Sequence, residues 1–173
     1  GHASPLPLVP SLSTSCNGYF CWGLYYMIGN KAKYGSVQNA MNKWRDYMVS
    51  MGFGYRLGVD LPGEKLGYIP NAAVYDKAYN GSWNGLTVIS ISIGQGEVTA
   101  TPLQIANLGA TIANRGYYYV PHVVRKIENG TLDTLYTNRK YTMADRTAYD
   151  YVVKGMRAAV TGGACRALAK YAI

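Results

Sequence analysis

The chain has 173 residues, of which 49% are apolar, 13% aromatic and 15% charged. That is a globular composition, long enough to bury a core, and it excludes a disordered or low-complexity segment. The formal charge of +8 would suit an acidic partner, but Lys and Arg are scattered, with their largest excess from Arg125 to Lys170, so the reading is a solvated basic face and no nucleic-acid partner.

Pro5, Pro7 and Pro10 predict an extended entry into a short helical segment ending near Ser15. From Gly18 to Ile28 apolar and aromatic residues are nearly continuous, which predicts a helix buried on most sides and closed by Gly29-Asn30. Ser36 caps the next helix, whose Val37, Met41, Trp44, Met48 and Met51 recur at helical spacing before Gly52. Residues 53–86 are rich in Gly, Pro, Asn and Tyr and read as ordered loop. Thr87 to Ile93 is a β-branched run for which periodicity does not separate strand from buried helix. Thr101, Pro102 and Gln104 mark a capped helix start, and that helix should end at Gly116. Tyr117 to Ile127, broken by Pro121, suggests an edge strand, and Asn129-Gly130 a hairpin with residues 132–137. A last helix should begin near Thr142, with Tyr149, Val152, Val153, Met156, Ala159 and Val160 on its apolar stripe and Gly162-Gly163 at its end. The residues after it read as the approach to a strand. The fold class expected is mainly α with one small β element.

No apolar run approaches the roughly 18 residues of a membrane span, and no basic-then-apolar leader opens the chain, so no membrane contact is expected of this segment. Cys16 and Cys21 lie about 140° apart on a helix, poorly placed to bridge or to share a metal, and Cys165 is remote; buried thiols are the favoured reading. His2 and His122 have no second ligand at metal spacing, so neither metal nor cofactor is expected. Lys65-Leu66-Gly67 lacks a central hydroxyl, and Gly94-Gln95-Gly96 lacks the residues of a phosphate loop.

Ser15 and Asn17 stand out because a helix break holds a hydroxyl and a carboxamide at one corner, as a cleft needs. The hydroxyl can relay a proton and the carboxamide can both accept from and donate to a peptide-like substrate. Taken alone, the two residues are more simply read as helix caps.

Leu12-Ser13-Thr14-Ser15-Cys16-Asn17-Gly18-Tyr19-Phe20, followed by Leu61-Pro62-Gly63-Glu64, Gly67-Tyr68-Ile69-Pro70, Gly94-Gln95-Gly96 and Gly116-Tyr117-Tyr118, resembles the transpeptidase domain of class B penicillin-binding proteins. The Ser-Cys-Asn-x-Tyr-Phe wording is closest to the elongation type, penicillin-binding protein 2. The resemblance implies the helical lobe of the penicillin-binding protein/β-lactamase-like fold, in a partial domain spanning residues 1–173. It makes Ser15 the proton-relay serine of Ser-x-Asn, and Asn17 both a catalytic residue and the ligand of the substrate amide. Cys16 occupies a variable position. The family's Ser-x-x-Lys and Lys-Ser/Thr-Gly motifs are absent and are expected upstream and downstream. A periplasmic, membrane-anchored parent is therefore expected, cross-linking peptidoglycan stem peptides, acylated by β-lactams and working with the cell-wall elongation machinery; the segment itself is expected to be inert. The rival reading is a non-catalytic glycan- or protein-binding module that uses the tyrosine-rich loop.

Overall fold

The computed structural model describes residues 5–171. Its helices are α1 (Leu8–Ser13), α2 (Asn17–Gly29), α3 (Lys31–Tyr34), α4 (Val37–Ser50), α5 (Ala72–Tyr79), α6 (Pro102–Ala113), α7 (Thr134–Thr137) and α8 (Arg146–Thr161). The only sheet among the described residues pairs β1 (Tyr117–Tyr118) antiparallel with β2 (Lys140–Tyr141), Tyr117 opposite Tyr141. The mainly helical architecture with a small β element agrees with the sequence.

Local chemistry sets the helix starts. The Ser36 hydroxyl accepts from the Asn39 N–H at 3.1 Å, and the Thr101 hydroxyl accepts from the Gln104 N–H at 3.2 Å while the Gln104 carboxamide oxygen accepts from the Thr101 N–H at 3.0 Å. The second arrangement is the reciprocal capping box the sequence predicts. The main core lies between α2, α4, α5 and a 3₁₀ turn at Ile89–Ile93, where Leu24, Ile28, Met41, Tyr75, Trp83 and Ile91 are buried together. A smaller cluster of Leu57, Tyr118 and Val120 seats the sheet.

Several expectations are corrected. α2 is not buried on most sides: Leu24 and Ile28 face the core, while Trp22 and Tyr26 are 55% and 66% exposed and stack on each other. The 53–86 stretch contains α5, capped by Asn71, whose side chain accepts from the Val74 N–H at 3.3 Å. Thr87 to Ile93 is neither strand nor α-helix, and α8 begins at Arg146 rather than near Thr142. The Asn129-Gly130 turn forms, with Asn129 at φ +58°, but no hairpin follows it. The Asp60 carboxylate accepts from the N–H groups of Val123 and Val124, and Asp133 turns the chain into α7 by accepting from the Leu135 N–H. Those donors are lost to a ladder, and β1 pairs with β2 instead. Residues 166–171 form a 3₁₀ segment, not the start of a strand.

Candidate functional site

The corner between α1 and α2 is made by a Schellman-type ending. The Ser15 N–H donates to the Leu12 carbonyl at 3.2 Å and the Cys16 N–H donates to the Ser11 carbonyl at 2.9 Å. Ser15 lies at φ +53°, in the left-handed position that glycine usually fills. An L-residue there costs about 1–2 kcal/mol. Asn17 then opens α2 directly.

Neither side chain does what a cap does. The residue before α2 is Cys16, which makes no capping bond, and α1 ends at Thr14, whose hydroxyl turns back to the Pro10 carbonyl at 2.9 Å. Ser15 and Asn17 are exposed, and neither side chain hydrogen-bonds to another described residue. The backbone thus holds a hydroxyl and a carboxamide two positions apart with their hydrogen-bonding capacity unspent.

The corner is braced from behind by α8. Leu12 packs on Gly155, and past the end of α8 the Ala164 N–H donates to the Ser13 carbonyl at 2.8 Å. Glycine is required at 155, because a Cβ there would stand 2.5 Å from Leu12 Cδ1 and 2.6 Å from Leu12 Cβ.

Other sequence candidates fall into supporting roles. Lys65-Leu66-Gly67 lies in a loop, where the Tyr68 N–H donates to the Thr99 carbonyl at 2.7 Å. Gly94 and Gly96, at φ +71° and +68°, turn the chain after the 3₁₀ segment. The Glu64 carboxylate of Leu-Pro-Gly-Glu accepts from the N–H groups of Leu57, Gly58 and Val59 at 2.6, 3.0 and 3.2 Å, so it pins the preceding loop. Gln104 is buried and donates from Nε2 to the carbonyls of Tyr55 and Leu66, tying α6 to the same loop. The sequence around Gln104 shows only its cap; nothing local announces its second task. Cys21 accepts from the Ser92 hydroxyl at 3.3 Å, Cys165 is exposed, and His122 Nδ1 contacts the Val120 carbonyl at 2.7 Å. No cluster of three His, Cys, Asp or Glu residues suited to a metal occurs among the described residues. His2 lies outside them.

The comparisons with known proteins show the family to which this helical lobe belongs. The chain matches the penicillin binding protein transpeptidase domain over residues 2–173 and belongs to that family. Within the family it is similar to the peptidoglycan D,D-transpeptidase MrdA of Acinetobacter baumannii, 41% identical over 111 residues, covering 64% of this chain and 15% of that protein. MrdA of Haemophilus influenzae is 33% identical over 93 residues, covering 54% of this chain and 14% of that protein. Among solved structures, Pseudomonas aeruginosa PBP2 in complex with WCK 5153 superposes with a TM-score of 0.76 at 24% identity, over 96% of this chain and 36% of that one. Helicobacter pylori PBP2, solved as a complex with MreC, gives a TM-score of 0.65 at 25% identity, over 88% and 25%. The penicillin-binding protein 2 resemblance read from the sequence is shared by both groups of relatives. The chain spans a small part of each, about one-seventh of the curated proteins.

Proposed function

We propose that this chain supplies the Ser-x-Asn wall of a serine-type D,D-transpeptidase that cross-links peptidoglycan stem peptides and is acylated by β-lactams. The observation that carries the reading is Ser15: a serine held in a backbone conformation that favours glycine, with a hydroxyl bonded to no other described residue. Non-glycine residues in left-handed backbone store strain of the kind that clusters at functional positions.

In this reading the nucleophilic serine and its lysine lie on a Ser-x-x-Lys segment that the chain does not contain. The Ser15 hydroxyl passes a proton between that nucleophile and the leaving amine, a positioned general acid-base step. The Asn17 carboxamide bonds the amide of the donor peptide, or of a β-lactam in its place, and holds the acyl carbon in register. The parent is anchored in the bacterial inner membrane, with this lobe in the periplasm. Its partners belong to the cell-wall elongation machinery, a reading supported by the complex of the Helicobacter pylori relative with MreC.

Two substitutions in the full-length protein test this, each followed by melting temperature and by the rate of penicillin acylation. Asn17→Ala is expected to slow acylation about ten- to a hundredfold, one hydrogen bond of about 1–3 kcal/mol, with stability nearly unchanged because no cap is lost. Ser15→Gly is expected to raise stability by about 1 kcal/mol while slowing acylation about a hundredfold. Variants that acylate at the normal rate sink the assignment and leave the corner structural, as a non-catalytic binding module would have it.

A further inference from the structure

Arg115 meets Arg139 and Arg146, from later in the chain, at one place. A cavity of about 280 Å³ opens where β1, β2 and the start of α8 converge, and its wall includes Arg115, Arg139, Arg146, Tyr117 and Tyr141. Arg115 is neutralised, since its Nε donates to the Asp150 carboxylate at 3.0 Å and its Nη1 to the Ile112 and Ala113 carbonyls. Arg139 is oriented but keeps its charge. Its Nε donates to the Tyr119 phenol at 3.1 Å and its guanidinium lies 4.6 Å over the Tyr117 ring, both uncharged partners. Arg146 is exposed and makes no ion pair or side-chain hydrogen bond with another described residue. Asp145 precedes it in sequence but is not part of the wall.

Two planar guanidiniums on one wall match the fork geometry of an oxyanion. The local sequence favours acids as well: from Arg139 to Arg146 stand Arg139, Lys140 and Arg146 against Asp145 alone, which favours an acidic ligand. The tyrosines point to a peptide rather than to a bare ion. Tyr141 is 68% exposed at the rim and Tyr119 is 40% exposed beside it, and Tyr with Arg is the pairing that anchors protein interfaces.

We propose that this pocket docks an acidic segment of a partner protein, with one carboxylate seated between Arg139 and Arg146 and the chain laid along Tyr141. The assignment goes beyond the transpeptidase reading. Arg146 opens the 16-residue α8, and Gly155, which meets Leu12 behind the Ser15 corner, is about 14 Å further along the helix at 1.5 Å per residue.

The test is a titration of the full-length protein at low salt with a fluorescein-labelled ten-residue oligoglutamate, read by anisotropy. Arg146→Glu is expected to weaken binding about tenfold. Lys154→Glu, the same charge change two turns along α8, is expected to leave it nearly unchanged. Both side chains are exposed and neither makes a hydrogen bond to another element, so both variants fold. Arg139→Lys, which keeps the charge and loses the fork, is expected to fall between the two. Equal weakening by Arg146→Glu and Lys154→Glu overturns the proposal, because net charge alone would then explain binding. So does peptide binding that survives Arg146→Glu while binding of inorganic phosphate or of phosphatidylglycerol vesicles is lost, since the pocket would then hold a free anion or a lipid surface.

Discussion

Replacing Gly155 with alanine tests whether α8 positions the Ser15 corner. The new Cβ would stand 2.5 Å from Leu12 Cδ1, 2.6 Å from Leu12 Cβ and 3.1 Å from Leu12 Cγ. Carbon atoms in contact prefer about 3.5–4.0 Å, so the overlap is roughly 1 Å. Leu12 Cδ1 can rotate away, but Leu12 Cβ is fixed to the backbone, so α1 itself has to move. Overpacking of this kind costs about 1–3 kcal/mol, and the better helix propensity of alanine returns about 1 kcal/mol. The net expectation is a loss of up to about 2 kcal/mol in denaturant titration of the full-length protein. Acylation should suffer more than stability, because a displacement of about 1 Å at a positioning element can slow a reaction by about a hundredfold. Gly109→Ala in α6 is the control: nothing lies within 4 Å of its added Cβ, so it should gain about 1 kcal/mol and acylate normally. If Gly155→Ala behaves like Gly109→Ala in both measurements, α8 does not brace the corner and the reasoning fails.

The remaining predictions concern acid stability and the isolated chain. The Asp76 carboxyl is held below its ordinary 3.8 by the Trp83 indole N–H and then by the Gln38 amide, and Asp60 is held low by the Val124 and Val123 N–H groups. For a depressed carboxyl the stabilisation is complete above the ordinary value and is lost as pH falls through the lower folded one; melting curves between about pH 6 and about pH 2 should therefore drop in the acid limb, and Asp76→Asn should blunt that drop. The 173-residue chain by itself should take up no fluorescent penicillin, since it holds no Ser-x-x-Lys pair to activate a serine; a stoichiometric label on any of its serines would mean the nucleophile lies here after all.

What could be read in the sequence was whatever is encoded within a few neighbouring residues. α4 and α6 are visible because Ser36 and the Thr101–Gln104 pair act across one turn and the apolar residues repeat at helical spacing. The hairpin expected after Asn129 fails for a distant reason: a carboxylate 63 residues upstream, on Asp60, takes the Val123 N–H. α5 was hidden by glycines and asparagines on both sides, although its own Asn71 cap is a local signal that could have been used. The continuous apolar run of α2 has no periodicity to say which face is inside, and only packing reveals that Trp22 and Tyr26 stay out. The arginine pocket is not legible in the sequence, because Arg115 reaches Arg139 and Arg146 only through the β1–β2 pairing.

The Ser-x-Asn corner lies between these cases. Its residue types are local and carry the family resemblance, but its geometry is not locally preferred. The left-handed Ser15 is held locally by the N–H bonds of Ser15 and Cys16 to the Leu12 and Ser11 carbonyls, and from 140 to 150 residues later by Gly155, small enough to admit Leu12, and the Ala164 N–H on the Ser13 carbonyl. A site built this way trades local stability for position, and its precision is only as good as the α1–α8 contact. Stabilising α8 should therefore sharpen the corner, whereas relaxing Ser15 itself should stabilise the protein and blunt its chemistry. The two effects have opposite signs, and for a serine that served only as a turn residue both would act in the same direction.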